Sequence, residues 1–174
     1  MKKQQYSPFM RHRWVRLVAL IFFILFLIVA GSFIYVYSTA MEGKEATFEQ
    51  SGQEALQETP IEEIDSIVRY NGEKAYDVVM GLSENAINGI AFVPVEKDEE
   101  ITYVQENDGI SKEKITSIWK EQCQDCTMQS ITPGIEDGNV IWEITYKNND
   151  HQYVFETYLF ENGDLYEQVK LSKK

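Results

Sequence analysis

Val140-Ile-Trp-Glu-Ile-Thr-Tyr146 is the stretch from which the fold can be read. Val140, Trp142, Ile144 and Tyr146 alternate with Ile141, Glu143 and Thr145, the period-two pattern of a strand with one apolar face. Just upstream, Asp137-Gly138 is a turn pair tolerant of positive φ, joining this strand to another over Met128–Ile135. Downstream, Asn148-Asn149-Asp150 turns the chain into a strand from Tyr153 to Phe160. Asn162-Gly163 then turns it into Leu165–Leu171. Ahead of these strands Ser111 is placed to cap a helix, with Glu113 in its first turn. Ile115, Ile118, Trp119, Cys123 and Cys126 fall on one continuous face of that helix.

The same order of elements occurs once before. Glu42–Glu58 lacks proline and carries Phe48, Ala55 and Leu56 among polar residues, which predicts a weakly amphipathic helix ending before Pro60. Ile64, Ile67, Val68 and Tyr70 then lead to the hairpin pair Asn71-Gly72. Strands are expected over Ala75–Met80, Ile90–Val95 and Ile101–Val104, with Pro94 at an edge or a strand end. Tyr76-Asp77-Val78-Val79 matches Trp142-Glu143-Ile144-Thr145 as aromatic, acid, β-branched, β-branched. The fold class expected is α+β: two small modules in tandem, 38–108 and 109–174, each a helix packed on an antiparallel sheet.

What precedes them is of another kind. Residues 17–37, LVALIFFILFLIVAGSFIYVY, contain no charge, and a helix of that length crosses a hydrocarbon core of about 30 Å. Trp14, Tyr35 and Tyr37 sit where amphipathic rings settle at the two interfaces. Lys2, Lys3, Arg11, Arg13 and Arg16 all precede the span and no acid does. The positive-inside rule therefore holds residues 1–16 in the cytoplasm and the C-terminal part outside, at the plasma membrane. The competing reading is a secretory signal cleaved near Ser38-Thr39-Ala40, but an ordinary signal has a shorter apolar stretch of about 7–15 residues. No cysteine lies at the end of the span to carry a lipid.

Charge and motifs narrow the function. Residues 38–174 hold 11 basic and 28 acidic side chains, a net −17, which disfavours nucleic acid and anionic lipid as partners. Glu96-Lys97-Asp98-Glu99-Glu100 reads as an exposed loop. Cys123-Gln-Asp-Cys126 is open to four readings: buried thiols, a local disulfide, a redox pair or half a metal site. Its place at a helix C-terminus disfavours a reactive thiolate, and no second ligand pair accompanies it. His12 lies on the cytoplasmic side and His151 beside a turn, so a catalytic set outside depends on one histidine. A carboxylate pair acting on glycan is conceivable by number alone. Trp142, Tyr146, Tyr153, Phe155 and Tyr158 line either a core or a binding face. The residues assign no catalytic group, no metal and no cofactor.

The segments Lys74–Gly81, Gly89–Pro94, Gly109–Ser111, Val140–Tyr146 and Tyr158–Gly163, taken in order behind the anchor, give the chain a likeness to a family. It resembles the TseB-like (YpmB-type) cell wall elongation regulators of Gram-positive bacteria over nearly its whole length. The resemblance implies tandem PepSY-like, cystatin-like modules outside the plasma membrane. It also implies a non-enzymatic role in peptidoglycan elongation, through a membrane-anchored penicillin-binding protein or another component of the elongation machinery. It supplies no catalytic residues, and Cys123 and Cys126 are not part of it. Two other functions compete: a PepSY-type inhibitor or chaperone of a secreted protease, and a tethered thiol oxidoreductase using the cysteine pair.

Overall fold

The computed structural model describes residues 8–96 and 99–171, with the backbone alone described over 8–13 and 40–46. Lys2, Lys3, Lys97 and Asp98 thus lie outside the described residues, as do the side chains of Arg11, His12 and Arg13; Glu96, Glu99 and Glu100 are exposed. Two compact units divide the chain, Met1–Thr47 and Phe48–Lys174. Helix α1, Pro8–Glu58, supplies residues to both.

In the first unit, Trp14–Thr39 is the one helical stretch among the described residues that is long and apolar enough to cross a membrane. Its side chains are exposed almost throughout, a candidate membrane anchor rather than a core helix. The polar groups it carries are satisfied inside the helix. Ser32 Oγ donates to the Ile28 carbonyl at 2.9 Å, and Thr39 Oγ1 to that of Tyr35 at 3.0 Å. Hydrocarbon demands such internal pairing, since no water is there to replace it.

The second unit holds two four-stranded antiparallel sheets, each in sequence order. The first comprises β1 (Ile61–Asn71), β2 (Ala75–Ser83), β3 (Asn88–Pro94) and β4 (Thr102–Gln105). A 3-10 turn at Glu106–Asp108 and helix α2 (Lys112–Gln122) lead to the second: β5 (Thr127–Glu136), β6 (Asn139–Lys147), β7 (Tyr153–Leu159) and β8 (Leu165–Lys170). The expected α+β architecture, an apolar N-terminal helix followed by two antiparallel sheets with a helix, is what the chain adopts.

Burial explains why β2 and β3 read as nearly unbroken apolar runs. Val79, Ala91 and Val93 pack with Ala55 of α1 and Ile61 on one side of the sheet. Tyr76, Val78, Ile90 and Phe92 belong to a second cluster with Ile115, Trp119, Ile141, Trp142 and Ile144. Strands covered on both faces lose the polar alternation. The two sheets therefore share one core.

Several boundaries differ from the sequence reading. β1 begins at Ile61, not Ile64, and takes up the extra residues through irregularities near Glu63 and Ser66. Asn71-Gly72 does not form a two-residue turn; β1 ends at Asn71 and β2 starts at Ala75. Neither Asn71 nor Gly72 has positive φ. Gly72 is needed instead for clearance, because a Cβ there would lie 2.6 Å from the Tyr70 ring. By contrast Asp137 (φ 48°) and Gly138 (φ 77°) make the tight turn their sequence predicts. Pro94 is indeed a strand end, and Pro133 sits on edge strand β5 where a missing N–H does no harm. Ser111 caps α2, accepting from the Lys114 N–H at 3.2 Å. The expected helical face does not run to Cys126: Cys123 is already the C-cap, at φ −136° and ψ 81°.

Candidate interaction surface

Two buried polar clusters account for the carboxylates nearest the core. Asp77 on β2 has no solvent exposure, yet accepts from Ser51 Oγ of α1 at 2.7 Å and from Arg69 Nε of β1 at 2.6 Å. The Arg69 guanidinium also stands 5.8 Å from the centre of the Phe48 ring. Glu156 on β7 accepts from the hydroxyls of Tyr146 (2.7 Å) and Tyr158 (2.6 Å) and from the Gln168 amide. Burial first, then the hydrogen bond to Glu156, pushes both tyrosines well above their ordinary pKa. Each cluster is closed by its own partners, which fits a structural role better than an exposed reactive one. Among the described residues no group of three His, Cys, Asp or Glu is placed to hold a metal.

The five aromatic candidates divide. Trp142, Tyr146 and Tyr158 are core residues, and Trp142 Nε1 donates to the Ile110 carbonyl at 2.8 Å. Tyr153 is exposed and Phe155 half-buried on the other face of the same sheet. His151 occupies an exposed turn with φ 59°, with no described partner for its ring. Cys123 and Cys126 are joined to each other in the structure, half-buried against the shared core. So short a loop constrains the unfolded chain little. Cys123→Ser/Cys126→Ser should cost no more than about 2 kcal/mol in a denaturant titration of the whole chain.

The outer face of the second sheet is built in cross-strand rows. Glu143, Thr157 and Glu167 lie side by side across β6, β7 and β8, followed by Thr145, Phe155 and Val169. Glu136 at the end of β5 closes one side, where Tyr70 from the first sheet donates to its Oε2 at 2.8 Å. The Tyr70 ring reaches there only because Gly134 has no side chain; a Cβ at that position would lie 2.5 Å from the ring. Tyr70, Glu136, Glu143, Phe155, Glu167 and Val169 are among the residues that frame a shallow concavity of about 340 Å³. Burial, then repulsion from Glu136, raises the Glu143 carboxyl above its usual range. Burial and the Glu136 contact likewise push the Tyr70 hydroxyl up. The surface is concave, half apolar and anionic. It brings carboxylates and apolar side chains together on one face.

Sequence reasoning missed Tyr70, Glu136 and Gly134 because they are brought together from opposite halves of the chain. The cue for Asp77 was present: an acid inside the apolar run β2, with Arg69 opposite it across the hairpin.

Comparison with known proteins gives three matches. Residues 50–94 match the model of the cell wall elongation regulator TseB-like domain. That segment runs from the end of α1 through β3. The Bacillus subtilis (strain 168) protein described as "Probable cell wall elongation regulator TseB" is 28% identical over 149 residues, covering 86% of this chain and 92% of its own length. The solved structure of the YpmB protein from Bacillus subtilis superposes with a TM-score of 0.63 at 24% identity, over 71% of this chain and 96% of that one. The structural likeness speaks for the fold alone.

Proposed function

We propose, from the premise that this chain is of the TseB/YpmB type, that it is a membrane-anchored, non-catalytic regulator of cell wall elongation. The observation that carries this reading is the match to the probable elongation regulator over 149 residues, 86% of this chain and 92% of that protein's length. The uncharged stretch 17–37 anchors the chain in the plasma membrane. Basic residues 1–16 stay in the cytoplasm and the acidic part lies outside. Segments 38–108 and 109–174 are two PepSY-like modules descended from one duplicated unit, fused through a shared core. Their work is protein contact, with a membrane-anchored penicillin-binding transpeptidase as the partner.

The anchor matters energetically. Confining two proteins to one membrane plane raises their effective concentration, so that a contact too weak for free solution still forms. The chain offers binding surfaces and buried, saturated polar clusters, consistent with a role that needs no chemistry of its own. Deleting the gene should change cell length and β-lactam sensitivity. Crosslinking of the whole chain in living cells should recover a protein that fluorescent penicillin labels. Normal cell length together with no labelled adduct would contradict the reading.

A further inference from the structure

We propose that the free edge of β8, with the acidic groove beside it, receives an extended basic segment of a protein partner as an added strand. This inference rests on the reading above, that the exterior unit works by protein contact.

β8 is the last strand of its sheet, and every residue from Leu165 to Lys170 is exposed. Leu171 N donates to the Tyr153 carbonyl. In an antiparallel ladder inward and outward backbone groups alternate, so Glu167 and Val169 also point toward β7. Gln168 and Lys170 present their N–H and C=O groups outward. A row of unpaired backbone groups is a template for another strand. Edge strands are ordinarily blunted by charge or by a covering element. Here Leu165, Tyr166, Val169 and Leu171 are 41–53% exposed.

Charge selects the occupant. On the outer face Val169 lies beside Phe155, Glu167 lies in the row that leads to Glu143, and Glu136 lines the same concavity. Val169 and Glu167 point to the same face, so an incoming strand must carry an apolar and a basic residue two positions apart, the first against Val169 and Phe155 and the second near Glu167. A second copy of this chain fits poorly. Its own β8 would bring Glu167 toward Glu167, between exterior parts that each carry −17. An acidic peptide is disfavoured for the same reason.

The test uses the whole chain in nanodiscs of zwitterionic lipid, with empty discs as the blank. The probe is acetylated, amidated Thr-Val-Thr-Lys-Thr-Val-Thr-Lys, which sets Val and Lys on one face of the strand; the same peptide with Glu for Lys is the control. The Val/Lys peptide should bind saturably and slow hydrogen exchange at Gln168 and Lys170 at least tenfold. Glu143→Gln/Glu167→Gln should weaken binding at least fivefold at low salt. Lys170→Pro, which removes an outward N–H and no bond to β7, should abolish it. Circular dichroism checks that each variant stays folded. Equal binding of the Val/Glu peptide, unchanged affinity in both variants, or protection at Thr102–Gln105 instead would overturn the proposal.

In cells, a photo-crosslinking residue at Tyr166 should give an adduct with a penicillin-labelled protein. An adduct of two copies of this chain would overturn the proposal. So would labelled adducts obtained from Thr102 but not Tyr166, and in that case the regulatory reading survives. Absence of a labelled adduct from any position, with normal cell length on deletion, would remove both.

Discussion

Replacing Arg69 by Met should lower the stability of the Phe48–Lys174 unit by about 3–5 kcal/mol at pH 7, the range for leaving a buried charge without its partner. Asp77 is fully buried, and Arg69 is the cation that reaches it. Without the guanidinium the Ser51 hydroxyl is, among the described residues, the donor left to the carboxylate. The loss is that of a carboxylate left buried with too few partners. Asp77→Asn in the Arg69→Met background should recover part of it. Guanidinium unfolding of the whole chain in nanodiscs, followed by near-ultraviolet circular dichroism, measures both effects. A deficit under 1 kcal/mol at pH 7 would show that Asp77 does not depend on Arg69. The cost is local in origin but wide in consequence, since Ser51 and Asp77 join α1 to the first sheet.

Trp142→Ala should cost a similar amount, about 3–5 kcal/mol, for a different reason. The ring is 1% exposed and packs at 6.4 Å from Phe160, within the cluster that both sheets share. Its removal leaves a void whose walls belong to both halves, and strips the Ile110 carbonyl of its Nε1–H donor. Trp142→Phe keeps much of the volume and loses the hydrogen bond, so it should fall between the variant and the parent. Because the core is common, Trp142→Ala should speed amide exchange in β2 and β3 as well as in β6. Faster exchange confined to the second sheet would mean that the halves are held independently.

Much of this architecture was legible in the chain because its causes are local. The alternation from Val140 to Tyr146, the Asp137-Gly138 turn and the Ser111 cap each depend on residues within a few positions of one another, and each appears where expected. The long apolar N-terminal helix was plainer still, being a matter of length and charge. What could not be read required knowledge of which residues meet from far apart. Tyr70 looked like one more strand aromatic, yet its ring lies on Gly134 and its hydroxyl on Glu136, 66 positions away. Gly72 looked like a turn glycine and is a clearance glycine. Cys126 fell on a helical period that the chain had already left at Cys123. The outer-face groove belongs with these. Glu143 and Glu167 are unremarkable acids in an acidic chain until the sheet register sets them in one row next to Phe155 and Val169, with Glu136 lining the same concavity.

The central claim is that a contact unit works only when held beside the membrane that carries its partners. It is tested most directly by complementing a deletion strain with two altered chains at equal abundance. In one, residues 17–37 are replaced by an unrelated apolar span of the same length; in the other, by a secretory signal that is cleaved. Cell length, read alongside fluorescent D-amino acid incorporation in the side wall, should be restored by the first and not by the second. Full restoration by the released unit would contradict the account.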